Sequence, residues 1–402
     1  MSMFTIGLSG LKTTQRALEV TSHNIANSST AGFKSGSAEF ASVYNGGQRG
    51  GVTVSDIKEN FSREGGVVNT GSALDLAITG QGFFVVSENG RMAYTQAGQF
   101  GLDKDQQIVN ANGNQLQGYG IDANGNLVPG VLTSLKVEAA NIPAEATTEV
   151  EFSLNLSSAS DVINPALNPF NPTDGSSYNY SQSTEIFDSL GNSHTLTQYF
   201  VHNGGGNWDA HYFVNGTALA APFDTAALTF DVNGQLTAPV APPSVSLSFA
   251  PAGAAVMNFD INLTNSTQFG SGFNIYKNDG NGFTAGEFAG IAVAASGEVF
   301  ATFTNGETKL QGQVVLANFS NLHGLETANR TMWYASNESG AALYGTPDSG
   351  SYGSLLSGAY IGSNVDISEQ LVDLMAFQQN YQANAKTISS ADQMMQILFN
   401  AT

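Results

Sequence analysis

The sequence predicts an α+β chain that is mainly β. Two β-rich domains, one nested in the other, lie between N- and C-terminal helices that pair as an α-helical coiled coil in a polymer. Three observations carry this prediction. Residues at both chain ends recur in alternating steps of four and three, the 3.5-residue average of a helix that runs along another helix. Asn-Gly, a strong hairpin signal because both residues tolerate positive φ, recurs at Asn89, Asn112, Asn124, Asn215, Asn233, Asn281 and Asn305. A Pro/Asn-rich stretch through Pro165, Pro169 and Pro172 interrupts one β region, and the turn style of the earlier region returns after Gly286.

The first helix reads over residues 4–27. Its self-assembly seam is Phe4, Leu8, Leu11, Leu18 and Ile25, with Gln15 and Ser22 as polar breaks, over roughly 35 Å. Residues 28–70 read as a linker, longer than an ordinary connection, with a short strand near Val52, Val54 and Ile57 and Phe61 as an anchor. Strands follow over 71–145: Leu74, Leu76 and Ile78 alternate, 83–86 is an apolar run, and Phe100 and Leu102 face Ile108 and Val109. Residues 146–283 supply strands of a separate sheet at 194–200, 208–214, 228–232 and 245–249. After Gly286, 299–303 turns at Asn305 into 308–310, and 313–319 reads as a buried strand.

The inner β domain is therefore discontinuous, 71–145 and 284–363, with 146–283 inserted as an outer β domain. Residues 1–27 and 364–402 make the terminal helical core. In the second helix Asp366 stands at the N-cap, with Glu369 three residues on, a capping-box-like signature. Its seam is Ile367, Leu371, Leu374, Tyr381, Ala385, Ile388, Met395 and Phe399, broken by Gln378 and Asp392, over roughly 50 Å. A chain whose bulk lies between two helical seams is suited to assemble with copies of itself.

Composition narrows the function. The 402 residues carry 13 Lys and Arg against 33 Asp and Glu, a net charge of −20, which argues against nucleic acid and suits an anionic membrane surface poorly. With no cysteine there is no disulfide, thiolate nucleophile or Cys-ligated zinc. Lys12 and Arg16 interrupt the N-terminal apolar pattern, so no cleaved secretory signal is expected, and no apolar run reaches membrane-spanning length. The chain is expected in the cytosol, or to leave it by a route that reads no cleaved signal.

Candidate chemistry is sparse. His194, His202 and His211 fall in neighbouring strands but have no Cys or carboxylate at ligand spacing, so no metal site is expected. The Asp122 turn resembles part of a calcium loop, but Thr133 stands where the twelfth-position Glu belongs, which leaves a hairpin turn. No phosphate-binding loop, nucleophile elbow or zinc helix motif is present. Neither an enzyme nor a cofactor is expected. Trp208, Tyr212 and Trp333 are candidate stacking rings for a class-different reading, a β-rich surface adhesin, although aromatic residues on strands are more often core.

The segment His23-Asn24-Ile25-Ala26-Asn27-Ser28-Ser29-Thr30-Ala31-Gly32-Phe33-Lys34 closely resembles the N-terminal motif of bacterial flagellar rod and hook proteins, the flagellar axial family. The segment from Leu74 to Phe84 with Gly98-Gln99-Phe100, and Ser363-Asn364-Val365-Asp366 with the Gln378–Lys386 region, are similar to the same family. The motif residues carried over are Asn24, Ile25, Ala26, Asn27, Gly32, Phe33 and Lys34. Asn and Gly there suit a helix C-cap, and Phe33 and Lys34 are expected to anchor the turn on a neighbour. The length, the inserted domain and 313–319 resemble hook members; distal-rod and hook–filament junction members are the alternative.

The resemblance implies signal-independent export through the flagellar type III apparatus and an extracellular place in the flagellar basal body and hook. It also implies a curved, flexible homopolymer that passes torque from rod to filament. The implied partners are many copies of the chain, distal rod protein, hook cap protein and hook–filament junction protein. Nucleic acid and membrane insertion are not expected.

Overall fold

The computed structural model describes residues 3–45, 48–240 and 243–400, with side chains over 4–44, 50–240 and 243–397. Two α-helices occur among these residues, α1 (Met3–Ala26) and α2 (Ile367–Asn400), and the chain between them is mainly β. Asp366 caps α2: its Oδ1 accepts from the backbone N–H groups of Ser368 and Glu369 at 3.0 and 3.3 Å. This satisfies donors that the first helical turn leaves unpaired, and it sets negative charge at the positive end of the helix dipole.

The segment read as a linker holds a long antiparallel hairpin, β1 (Gly36–Asn45) and β2 (Gln48–Glu59). Its pairing shifts at Glu39/Phe40 and at Val43/Tyr44. Each shift breaks the two-residue alternation by which strands are recognised, and the Gly and Ser content weakens the pattern further. Only the short strand around Val52 was therefore visible in the sequence.

The chain forms two compact units. The first comprises Met1–Ala139, Gly290–Thr302 and Thr308–Thr402. Its main sheet runs through strands Phe83–Glu88, Arg91–Thr95, Gln115–Ile121, Glu298–Phe303 and Thr308–Val314. Under it lies an aromatic core of Phe83, Tyr94, Phe319 and Trp333, against which Phe61 packs edge-on, 5.9 Å from Phe83 and 5.5 Å from Trp333. Two small sheets stitch the flanks of the chain together: Leu76–Thr79 pairs with Ser354–Ser357, and Val67–Asn69 with Ala359–Ile361. The strand read over 313–319 is broken at Val315 into two pieces that join different neighbours.

The second unit comprises Ala140–Ala289 and Phe303–Glu307. A five-stranded sheet around Glu149–Ser157 and a six-stranded sheet around Ser193–Gly204 and Asn207–Val214 share one hydrophobic core. Alternate residues point inward: Val150, Phe152, Leu154 and Leu156 from one sheet meet Leu196, Phe200, Trp208 and Tyr212 from the other. Phe152 stacks on Phe200 at 6.1 Å. Two pleated faces thus pack face to face, each burying every second side chain.

The predicted Asn-Gly hairpins take two turn geometries, except that at Asn281 neither residue has positive φ. At Asn89 and Asn215 both residues have positive φ, the two-residue type I′ geometry. At Asn112, Asn124, Asn233 and Asn305 only the glycine does. For the middle two, an aspartate two positions earlier takes over: Asp122 accepts from Asn124 and Asn126 at 2.8 and 2.9 Å, and Asp231 from Asn233 and Gln235 at 2.9 and 2.8 Å. These carboxylates are therefore occupied by turn N–H groups.

Candidate self-assembly site

Along α1 the buried positions are Gly7, Gly10, Thr14, Ala17, Thr21 and Asn24, with Thr13 beside them. This stripe meets α2 in antiparallel order. A Cβ on Gly7 would lie 2.9 Å from Ile388 Cγ1, and one on Gly10 would lie 2.6 Å from Asn384 Oδ1. At the far end Asn24 Nδ2 donates to Gln370 Oε1 at 2.8 Å. Small side chains let the helix axes approach closely, while Thr13 and Thr14 satisfy their hydroxyls on the carbonyls of Ser9 and Gly10 at 2.6 and 2.7 Å.

The apolar seam expected on α1 is a different stripe. Leu8, Leu11, Leu18 and Ile25 each follow a buried small residue by one position, about 100° further round the helix. Phe4 and Leu8 are exposed, and Leu11, Leu18 and Ile25 are half-buried. Both stripes repeat every 3.5 residues, and reading by side-chain size selected the outer one. On α2, Leu374, Ala385 and Ile388 are half-buried, whereas Ile367, Leu371, Tyr381 and Met395 are exposed. The Phe399 side chain lies outside the described residues.

The β1–β2 hairpin lies along α1. Thr13 Oγ1 donates to the Val52 carbonyl at 3.3 Å, and the Val52 N–H donates to Ser9 Oγ at 3.3 Å. Gly51, at φ +110°, brings its backbone so close that a Cβ there would lie 2.2 Å from Ser9 Oγ. Between α1, α2 and the hairpin opens an apolar groove of about 670 Å³, lined by Ile6, Phe40, Val43, Val52 and Phe377 among others.

The motif at the end of α1 forms a joint within the chain. Asn27 Nδ2 donates to the His23 carbonyl at 2.9 Å and so caps the helix through its side chain; Ala26 is exposed. Gly32, at φ +67°, donates its N–H to Ile361 at 2.9 Å, where a Cβ would lie 2.3 Å from the Ala97 nitrogen. Asn24 is buried and bonds both backbone groups of Gly36, accepting at 2.9 Å and donating at 2.8 Å.

Phe33 and Lys34 were expected to anchor on a neighbour, but both are buried in their own chain. Phe33 sits 5.4 Å from the His23 ring, and Lys34 Nζ donates to the Arg63 carbonyl at 3.4 Å. Burial holds the Lys34 pKa below its ordinary value against the opposing pull of Glu64. Asn364 completes the joint from the other end of the sequence. Arg63 then reaches Asp366 at 3.7 Å and Glu369 at 3.5 Å, exposed pairs that add little. The hairpin's other tie is Glu59, which accepts from Trp333 Nε1 at 2.5 Å; burial raises its pKa.

The remaining candidates have structural partners. His194 and His202 occupy one strand rather than neighbouring ones. His194 bonds Asp188 at 3.1 Å, His202 stacks on Trp208 at 4.5 Å, and His211 stacks on Phe170 at 4.0 Å. Burial works to raise the Asp188 pKa, but bonds from Asn192, His194 and Leu190 outweigh it and hold the carboxyl well below the usual range. No metal-binding cluster occurs among the described residues. Trp208, Tyr212 and Trp333 are all buried, which removes the stacking platform of the adhesin reading.

Comparison with known proteins finds four family matches along the chain. Residues 4–34 match the family described as flagella basal body rod protein, 77–155 the flagellar hook protein FlgE/F/G D1 domain, and 155–283 the flagellar basal body protein FlaE D2 domain. Residues 356–401 match the flagellar basal body rod FlgEFG protein C-terminal family. The flagellar hook protein FlgE of Escherichia coli (strain K12) is 36% identical over 402 residues, covering 99% of each chain. That of Brucella suis biovar 1 is 32% identical, covering 99% of this chain and 98% of its own. A crystal structure of Helicobacter pylori flagellar hook protein FlgE2 shares the fold, with a TM-score of 0.52 at 12% identity. It covers 72% of this chain and 98% of that one.

Proposed function

The chain belongs to the flagellar hook protein family as a structural subunit of the bacterial flagellar hook, and we propose that it polymerises through its terminal helical layer. The polymer is a curved, flexible tube that transmits torque from rod to filament. One observation carries the reading: after α1 and α2 have closed on each other through small residues, large apolar side chains still line the outside of both. Leu8 is 38% exposed, Leu371 47% and Met375 55%, a pattern that favours burial against further copies of the chain. The full-length match to hook proteins, through 155–283, favours a hook subunit over a distal-rod or junction protein.

Residues 146–283 form the outer domain, which slides over its neighbours as the tube bends. Among residues 140–289 Lys277 is the only Lys or Arg, and it pairs with Glu151. Like-charged neighbours repel at close range, which favours loose contacts over locked ones. The role is structural rather than catalytic. Export through the flagellar type III apparatus, an extracellular site, and contacts with rod, cap and junction proteins complete the proposal.

Purified full-length chain is expected to assemble into curved tubes visible by negative-stain microscopy. A chain that stays monomeric under all assembly conditions would contradict the proposal. In cells, deletion is expected to remove the hook itself; a hook present but lacking its filament would point to a junction protein.

A further inference from the structure

Asn364 is buried, and its three side-chain hydrogen bonds all go to main-chain groups within residues 35–63. Its Oδ1 accepts from the Ser35 N–H at 2.7 Å, and its Nδ2 donates to the carbonyls of Asn60 at 2.8 Å and Arg63 at 2.9 Å. Its own N–H donates to the Phe33 carbonyl at 3.2 Å. The carboxamide matches this set, one acceptor arm for an amide and one two-donor arm for two carbonyls. Aspartate would turn an acceptor toward both carbonyls, and glutamine is a methylene too long.

We infer that Asn364 is the positioning residue of the assembly surface, and that the joint it closes makes that surface complete only once the C-terminal segment has docked. The inference rests on the proposed polymerising function. Asp366, two residues on, caps α2, so fixing Asn364 fixes where α2 begins. One turn into α2, Gln370 bonds Asn24, which holds Gly36 at the base of β1. One side chain thus sets the start of α2 against both α1 and the hairpin, and with it the presentation of Ile367 and Leu371. Before residue 364 arrives, Ser35, Asn60 and Arg63 lack these partners, so the hairpin base and helical layer stay loose. A chain whose end has not docked therefore offers its neighbours no finished surface.

The test compares full-length wild type with Asn364→Asp and with Gln370→Ala, which removes only the Asn24 link. Three readouts are taken: amide exchange over 33–63, thermal unfolding of the β-sheets, and the critical concentration for tubes. Asn364→Asp keeps an acceptor for the Ser35 N–H but turns a second acceptor toward the Asn60 and Arg63 carbonyls. It is expected to open the joint, speed exchange over 33–63 and raise the critical concentration roughly tenfold or more, with β-sheet unfolding near wild type. Gln370→Ala is expected to shift the critical concentration the same way by about threefold. Unchanged exchange over 33–63, or tubes at the wild-type concentration, would overturn the inference. So would a β-sheet unfolding loss matching the assembly loss, which marks a merely structural residue. If wild type forms no tubes, the proposed function fails, and exchange alone still decides whether Asn364 closes the joint.

Discussion

A chain carrying Gly10→Leu is expected to lose tube formation while both β units remain folded. Gly10 faces Asn384 so closely that a Cβ would lie 2.6 Å from its Oδ1. Alanine asks only that the Asn384 side chain rotate; leucine needs the helices moved apart. Overpacking of this kind costs about 1–3 kcal/mol per site, and here it splays the helix pair whose outer faces every subunit must present. Leucine is also a better helix former than glycine by up to ~1 kcal/mol, so α1 itself is not weakened. Retained helix content by circular dichroism, with no tubes by sedimentation and microscopy, is the expected result. Normal tubes would show that α1 and α2 do not meet through the small-residue stripe.

Trp208→Ala is expected to remove about 3–5 kcal/mol from the second unit, the cost of deleting a large buried aromatic. Trp208 is 0% exposed and stacks between His202 at 4.5 Å and Tyr180 at 6.1 Å. A domain holds only about 5–15 kcal/mol in all, so its urea midpoint should fall steeply. The helical layer belongs to the first unit, so polymerisation is expected to survive with altered curvature. Loss of all assembly on Trp208→Ala would place residues 146–283 in the polymer's framework rather than in its coat.

What could be read in the chain followed from the strength of each local signal. Asp366 marked the start of α2 because capping needs one side chain at one position, and Asn89 marked a hairpin because the turn demands positive φ. The helix pair was legible as a 3.5-residue repeat, but its contact face was not. Gly7, Gly10 and Ala17 matter because they are small, and apolar periodicity does not register smallness. A stripe of Gly, Thr and Ala one position before each large residue was the available sign. The β1–β2 hairpin was hidden by two register shifts, and Phe61, read as an anchor in a linker, packs onto the aromatic core. The joint was hidden for another reason. The resemblance singled out Asn364, but it lies 329 residues from Ser35, and no local pattern tells which distant main-chain groups an asparagine will bond.

The central claim is that the apolar side chains left outside the closed helix pair hold neighbouring copies together. Its most direct test is the critical concentration for tube formation of a chain carrying Leu8→Asp and Leu371→Asp. Both residues are exposed in the single chain, so helix content and unfolding are expected to match wild type. The critical concentration is expected to rise roughly tenfold or more, because two apolar side chains no longer leave water on assembly. Tubes forming from this variant at the wild-type concentration would contradict the account.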